Sequence, residues 1–199
     1  MAISFQYNKT ALQGLEKQLK VRVRALPTIK NKESALRIEV KKAKDESKRL
    51  EDELNAAIES YNNMVALWGE FDNSLLKVVD VKLDVKKIAG VKTPVLNEIE
   101  FEQAVFSVFN APKWYLDGIA IVKNMVRISI EQEVFLRKMQ LLDHARKKTT
   151  QKVNLFEKVQ ILGYQDAIRK IKRFMEDEDN LSKSAQKIVK TRQQEEAEA

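Results

Sequence analysis

The chain has 199 residues, 33% of them charged, with five glycines, three prolines and a formal net charge of +7. Few breakers among many Lys, Glu, Leu and Ala suit long helices, and the positive surplus suits a partner with negative surface: protein, nucleic acid or anionic lipid. The absence of cysteine excludes disulfides and thiolate metal sites and fits a cytoplasmic protein, while the apolar runs fall far short of the roughly 20 residues that cross a bilayer, so no direct membrane insertion is expected.

Steps of three and four from Leu12 reach Leu15, Leu19, Arg22, Leu26, Ile29, Glu33, Leu36, Val40, Ala43, Ser47, Leu50, Leu54, Ala57, Tyr61, Met64 and Trp68. Only Arg22, Glu33 and Ser47 interrupt this apolar seam of about eight heptads, a length that predicts a coiled coil over residues 1–70. Pro27 lacks the N–H that an interior helical position donates, so a kink or local break is expected there.

The period then changes to two. Val79, Val81, Leu83 and Val85 alternate with Asp80, Lys82, Asp84 and Lys86, the pattern of a half-buried strand. Ala89-Gly90 and Thr93-Pro94 punctuate a turn before a second strand, Val95 to Phe101. Two strands alone are marginal in water. Trp68, Phe71, Phe101, Phe106, Phe109, Trp114 and Tyr115 supply an aromatic core for a compact head over 71–118, built on the helix ends.

A second seam starts beyond Gly118. Ile121, Met125, Ile128, Phe135, Met139, Leu142, Val153 and Phe156 share one heptad register, with Gln132, Arg146 and Thr149 as polar members. A stutter near Gln160 to Gly163 shifts the register without ending the helix. It resumes through Tyr164, Ile168, Ile171 and Met175, then Leu181, Ala185 and Ile188. Residues 193–199 have no apolar face and are expected to fray. The predicted fold is mainly α: a long antiparallel two-helix coiled coil, with 119–199 folding back on 1–70 as one continuous rod and a small β-hairpin-containing head between the helices.

That folding back gathers charge. Residues 8–50 hold 13 Lys/Arg against 5 Asp/Glu, and residues 137–173 hold 11 against 3. Both stretches then fall on the half of the stalk away from the head. Lys41, Lys42, Lys44, Lys147 and Lys148 form a basic shaft suited to an acidic protein partner, although charge runs on helices commonly do no more than solvate a coiled-coil exterior. Nucleic-acid binding would use the same charges, but there is no helix-turn-helix or zinc module and few aromatics for stacking. A curved, membrane-sensing dimer is a further use of a basic coiled coil.

Catalytic chemistry finds no foothold. His144, the one histidine, lies between Asp143 and Ala145 without a motif partner. Glycine spacing offers no P-loop or dinucleotide fingerprint, and Glu176 to Asp179 lacks the ligand spacing of a calcium loop. No cofactor or metal is expected, and the chain reads as a mechanical or scaffolding part. The N-terminus lacks the apolar core and cleavage site of a signal peptide.

Three stretches carry a family resemblance. Leu26-Pro27-Thr28-Ile29-Lys30-Asn31-Lys32-Glu33-Ser34-Ala35-Leu36 is similar to the leucine-rich, lysine-spaced early helix of the D subunits of the V-type/A-type rotary ATPases. Ile88-Ala89-Gly90-Val91-Lys92-Thr93-Pro94-Val95, followed by Phe101-Glu102, resembles the hairpin of a bacterial branch of that family, and Lys152-Val153-Asn154-Leu155-Phe156-Glu157 resembles its Arg-Val-Asn-Ala-Leu-Glu signature. Two segments depart from it: Ile161-Leu162-Gly163 stands where many members have Ile-Pro, and Glu176-Asp177-Glu178-Asp179-Asn180 where an arginine-containing acidic run is usual.

The resemblance implies a non-catalytic central-stalk rotor subunit of an ATP-driven ion-transport complex. It would transmit torque between the nucleotide-binding hexamer and the membrane ion-translocating ring. The implied partners are the catalytic and non-catalytic hexamer subunits, the small central-stalk F subunit and a ring-connecting stalk subunit. The implied location is cytoplasmic, peripheral to the inner membrane. In these terms Leu12, Leu15, Leu19, Leu26, Leu36, Leu50, Leu54, Met139, Leu142, Val153, Phe156, Ile168 and Ile171 are the internal seam, the basic shaft faces the hexamer, and Val81, Leu83, Val91, Val95 and Ile99 are head interface. A generic coiled-coil scaffold or adaptor with an acidic partner is the alternative.

Overall fold

The computed structural model of the chain describes residues 3–106 and 112–198. Two long helical stretches flank an antiparallel hairpin. Helix α1, Lys9–Ser60, opens on Asn8, whose side-chain oxygen accepts from the Ala11 N–H at 2.6 Å and satisfies one of the free donors of the first turn. It runs through Pro27 without interruption, so the expected break is absent. Pro27 lies on the exposed side of α1, where the carbonyl one turn earlier, deprived of its usual donor, can turn to water.

After a 3-10 turn at Asn62–Met64 and the single-turn α2, Val65–Trp68, the chain enters a ring cluster. Trp114 stands 5.4 Å from Trp68, 5.8 Å from Phe71 and 5.2 Å from Tyr115, centre to centre, within the range where edge-to-face and tilted pairs attract. The Tyr115 hydroxyl donates to the Glu70 carbonyl at 2.6 Å. Phe106 joins at the edge, 6.2 Å from Tyr115. Phe109 lies outside the described residues.

Strands β1, Leu76–Ile88, and β2, Val91–Gln103, pair antiparallel from Leu76↔Gln103 to Ile88↔Val91. The register shifts between Val78 and Asp80 and between Lys82 and Leu83, local kinks of the kind that bend and twist a strand. The turn places Ala89 at φ 48° and Gly90 at φ 82°, both left-handed, as the tightest hairpin turns require.

The hairpin stands between the two long helical stretches, as expected, and lies back along the helices. Helix α3, Tyr115–Asn154, receives β2 along its length. Lys123 bonds Gln103 at 3.1 Å, and Ile99 and Phe101 line a groove with Arg127. Farther on, Pro94, Val95 and Leu96 enclose a cavity of about 90 Å³ with Glu131, Val134, Phe135 and Lys138. At the tip, a Cβ on Gly90 would lie 3.5 Å from Lys32 Nζ of α1. The reason is the one that makes two-stranded sheets unstable alone: the apolar face of β2 needs cover, and α3 provides it.

A π-helical segment, Leu155–Ile161, links α3 to α4, Leu162–Glu198. Its wider turn answers the stutter predicted near Gln160 to Gly163. The seam there advances in fours, Phe156 to Gln160 to Tyr164, and a turn holding more residues brings them back to one side. The helix continues to Glu198, into the segment expected to fray.

The chain divides into two compact units. Met1–Asn31 with Thr149–Ala199 form one and Lys32–Lys148 the other. In the first, Leu15, Ala167, Ile168 and Ile171 make a core flanked by Ile3, Phe5, Leu12, Leu19, Tyr164 and Met175. Cross-helix pairs there fall along the C-terminal stretch as they rise in α1: Glu16 with Lys172 at 3.1 Å, then Arg22 with Gln160 and Lys30 with Glu157, both at 2.8 Å. The helices are therefore antiparallel. In the second unit Ala43 and Glu46 lie by Phe135, and Ile58 and Tyr61 by Val122 and Met125, the same sense. Leu36, Leu142 and Ile171 are fully buried.

Candidate interaction surfaces

Of the predicted seam residues, Leu15, Leu36, Leu50, Leu142, Val153, Ile168 and Ile171 are buried, and Leu12, Leu19, Leu26, Leu54, Met139 and Phe156 are half-buried. Leu181 and Ile188, expected to continue the seam, are instead 72% and 56% exposed. Heptad spacing marks a face that could be covered, and among the described residues nothing covers this one.

Lys41, Lys42, Lys44, Lys147 and Lys148 are all exposed. Two are engaged within their own helix: Lys42 with Glu39 at 3.1 Å and Lys147 with Asp143 at 3.0 Å. The Lys147 ammonium and the Arg146 guanidinium, hydrogen-bonded to Asp143, hold its carboxyl below the usual carboxylate range. Glu46 is lowered in the same way by Arg49. Among the described residues Lys41, Lys44 and Lys148 have no ion-pair partner. His144 is exposed beside this cluster.

The predicted head residues divide. Val95 lines the small cavity against α3 and Ile99 the neighbouring groove, Val81 and Val91 are half-buried, and Leu83 is 49% exposed together with Val79 and Val85 of the same strand.

Two further sets of contacts are not conveyed by residue spacing. By spacing, Arg22 is only a polar break in the seam. It donates to Gln160 Oε1 of the π-helical segment at 2.8 Å, to Gln18 of its own helix, and lies 4.5 Å over the Tyr164 ring. Gly163 receives Ile3, whose Cδ1 would lie 3.1 Å from an added Cβ. This accounts for a small residue at the point of departure from the family pattern. The signal available was the long cation in an apolar seam, which has to find a partner.

Among the described residues no group of His, Cys, Asp and Glu is arranged to hold a metal, and no helix is long and apolar enough to cross a membrane. Antiparallel helix pairing within each unit and a two-strand hairpin between the long helices define the class of protein as mainly helical, with an exposed basic surface. The ATP synthase D-subunit family model matches residues 11–191, and the chain belongs to that family. It is 31% identical over 189 residues to the V-type ATP synthase D subunit of Borreliella burgdorferi, covering 92% of both chains. It is 29% identical to that of Chlamydia caviae, covering 76% of both, and 25% identical to that of Chlamydia muridarum, covering 96% of both.

Proposed function

We propose that the chain is the non-catalytic central-stalk rotor subunit of a V/A-type rotary ATPase, carrying torque between the nucleotide-binding hexamer and the membrane ion-translocating ring. The observation that carries this reading is a family match over nearly the whole chain, on a fold whose helices are pinned to each other by packing and cross-helix bonds. Torque can pass through two helices only if they do not slide, and interdigitated side chains resist sliding.

The partners follow from the same reading: the catalytic and non-catalytic hexamer subunits along the basic helices, the small F subunit at the head outside the hairpin tip, and a ring-connecting stalk subunit. The complex would sit on the cytoplasmic side of the inner membrane. Co-expression of the full chain with the nucleotide-binding subunits tests this. The wild-type chain should co-purify with them, and replacing Lys41, Lys42, Lys44, Lys147 and Lys148 by Gln should weaken assembly most at low salt, where surface charges are least screened. Failure of the wild-type chain to co-purify would refute the rotor reading. Equal affinity of the variant across a salt series would remove the basic helices from the interface.

A further inference from the structure

The hairpin is electrically polarised along its length. In its stem the charges are of both signs: Lys77 is registered on Glu102 and Asp80 on Glu100, and Lys82 pairs with both Glu98 and Glu100. At its tip the charge is of one sign only, and Lys87 stands directly opposite Lys92. Like charges in that position repel and weaken a strand pair. Lys86 lies beside them, with its carbonyl accepting from the buried Thr93 hydroxyl at 2.9 Å. The turn itself rests near the ammonium of Lys32.

All four lysines are exposed, and among the described residues none has an ion-pair partner. Edge strands often carry lysine to discourage pairing with other chains, but at the tip three lysines of the hairpin gather with Lys32 of α1 around one turn. The tip also holds the one non-glycine residue of positive φ among those described, Ala89. Strained backbone and concentrated, uncompensated charge thus fall at the same tight turn.

We propose that the hairpin tip, with Lys32, Lys86, Lys87 and Lys92, is a docking surface for an acidic segment of the nucleotide-binding subunits. Four ammonium groups on two strands and a helix match a run of carboxylates better than a single anion. Their location points to the hexamer, because Lys32 belongs to the basic stretch of α1. The inference rests on the rotor reading above and extends its basic surface from the helices to the hairpin.

The test uses the full chain and co-expressed, purified nucleotide-binding subunits, with affinity followed by biolayer interferometry from low to high salt. The quadruple variant K32Q/K86Q/K87Q/K92Q should bind about tenfold more weakly at low salt and show a shallower salt dependence. A stem control, K77Q/K82Q, should bind like wild type, and circular dichroism should show the same helicity in all three. Equal binding by the quadruple variant and wild type, or equal weakening by the stem control, overturns the tip proposal while leaving the rotor reading in place. A wild-type chain that does not bind at any salt overturns both.

Discussion

Gly14 and Gly118 both occupy helices, and both carry the conformational cost of a residue without a side chain. Their surroundings decide what an alanine would do. Gly14 is exposed on α1 with nothing within 4 Å of an added Cβ, so Gly14→Ala should stabilise the chain by about 0.5–1 kcal/mol. At Gly118 the same methyl would lie 2.8 Å from Cζ3 of Trp114 and 3.4 Å from Cε2 of Phe71. Trp114 is held by its ring neighbours and has little room to yield, so overpacking outweighs the propensity gain. Gly118→Ala should cost about 1–3 kcal/mol. Urea unfolding of the two variants checks both signs, and destabilisation of equal size in both would contradict the packing argument.

At the scale of elements, the join between α3 and α4 is where the two periodicities meet. An apolar seam resists separation of helices but tolerates a slip by one heptad, because equivalent knobs can refill equivalent holes. The Arg22–Gln160 bond and the Arg22–Tyr164 stack are not repeated a heptad away, so they discriminate against slipped registers. Arg22→Ala and Gln160→Ala should each destabilise the chain, with a coupling energy of about 0.5–1.5 kcal/mol between them in a double-mutant cycle. Additive effects would assign the two side chains independent roles.

The same region shows what a sequence can and cannot convey. The 4-4 steps at Phe156, Gln160 and Tyr164 announce a change of period, but a stutter can be absorbed by altered supercoiling or by a wider turn. That choice depends on the facing helix. The hairpin is similar. Alternation from Val79 to Val85 and the Ala89-Gly90 turn announce strands, whereas the packing of Val95 and Ile99 against α3 depends on a partner surface that alternation does not encode. Charge runs are legible as charge at Lys41, Lys42 and Lys44. Engagement of Lys42 by Glu39 and of Lys147 by Asp143 arises only when the helix sets residues three and four apart side by side.

For the molecule as a whole, folding draws on only part of the chain. The core of the first unit ends at Met175. Beyond it α4 carries Leu181, Ile188 and Val189, each more than half exposed, and every described side chain of 176–195 is exposed. A helix that buries no apolar face gains little from tertiary structure and adds only marginal stability of its own. Removing residues 181–199 should therefore leave the unfolding free energy of the remaining chain within about 0.5 kcal/mol of the full-length value, the range of surface changes away from packed features. Ile171→Ala, which opens a cavity at a fully buried position, should cost about 2–5 kcal/mol in the same urea assay. If truncation proved as costly as the cavity, the exposed segment would have a packing partner in solution. If it is silent, any loss of assembly with the nucleotide-binding subunits in the truncated chain measures contacts rather than folding, and the two contributions can be separated.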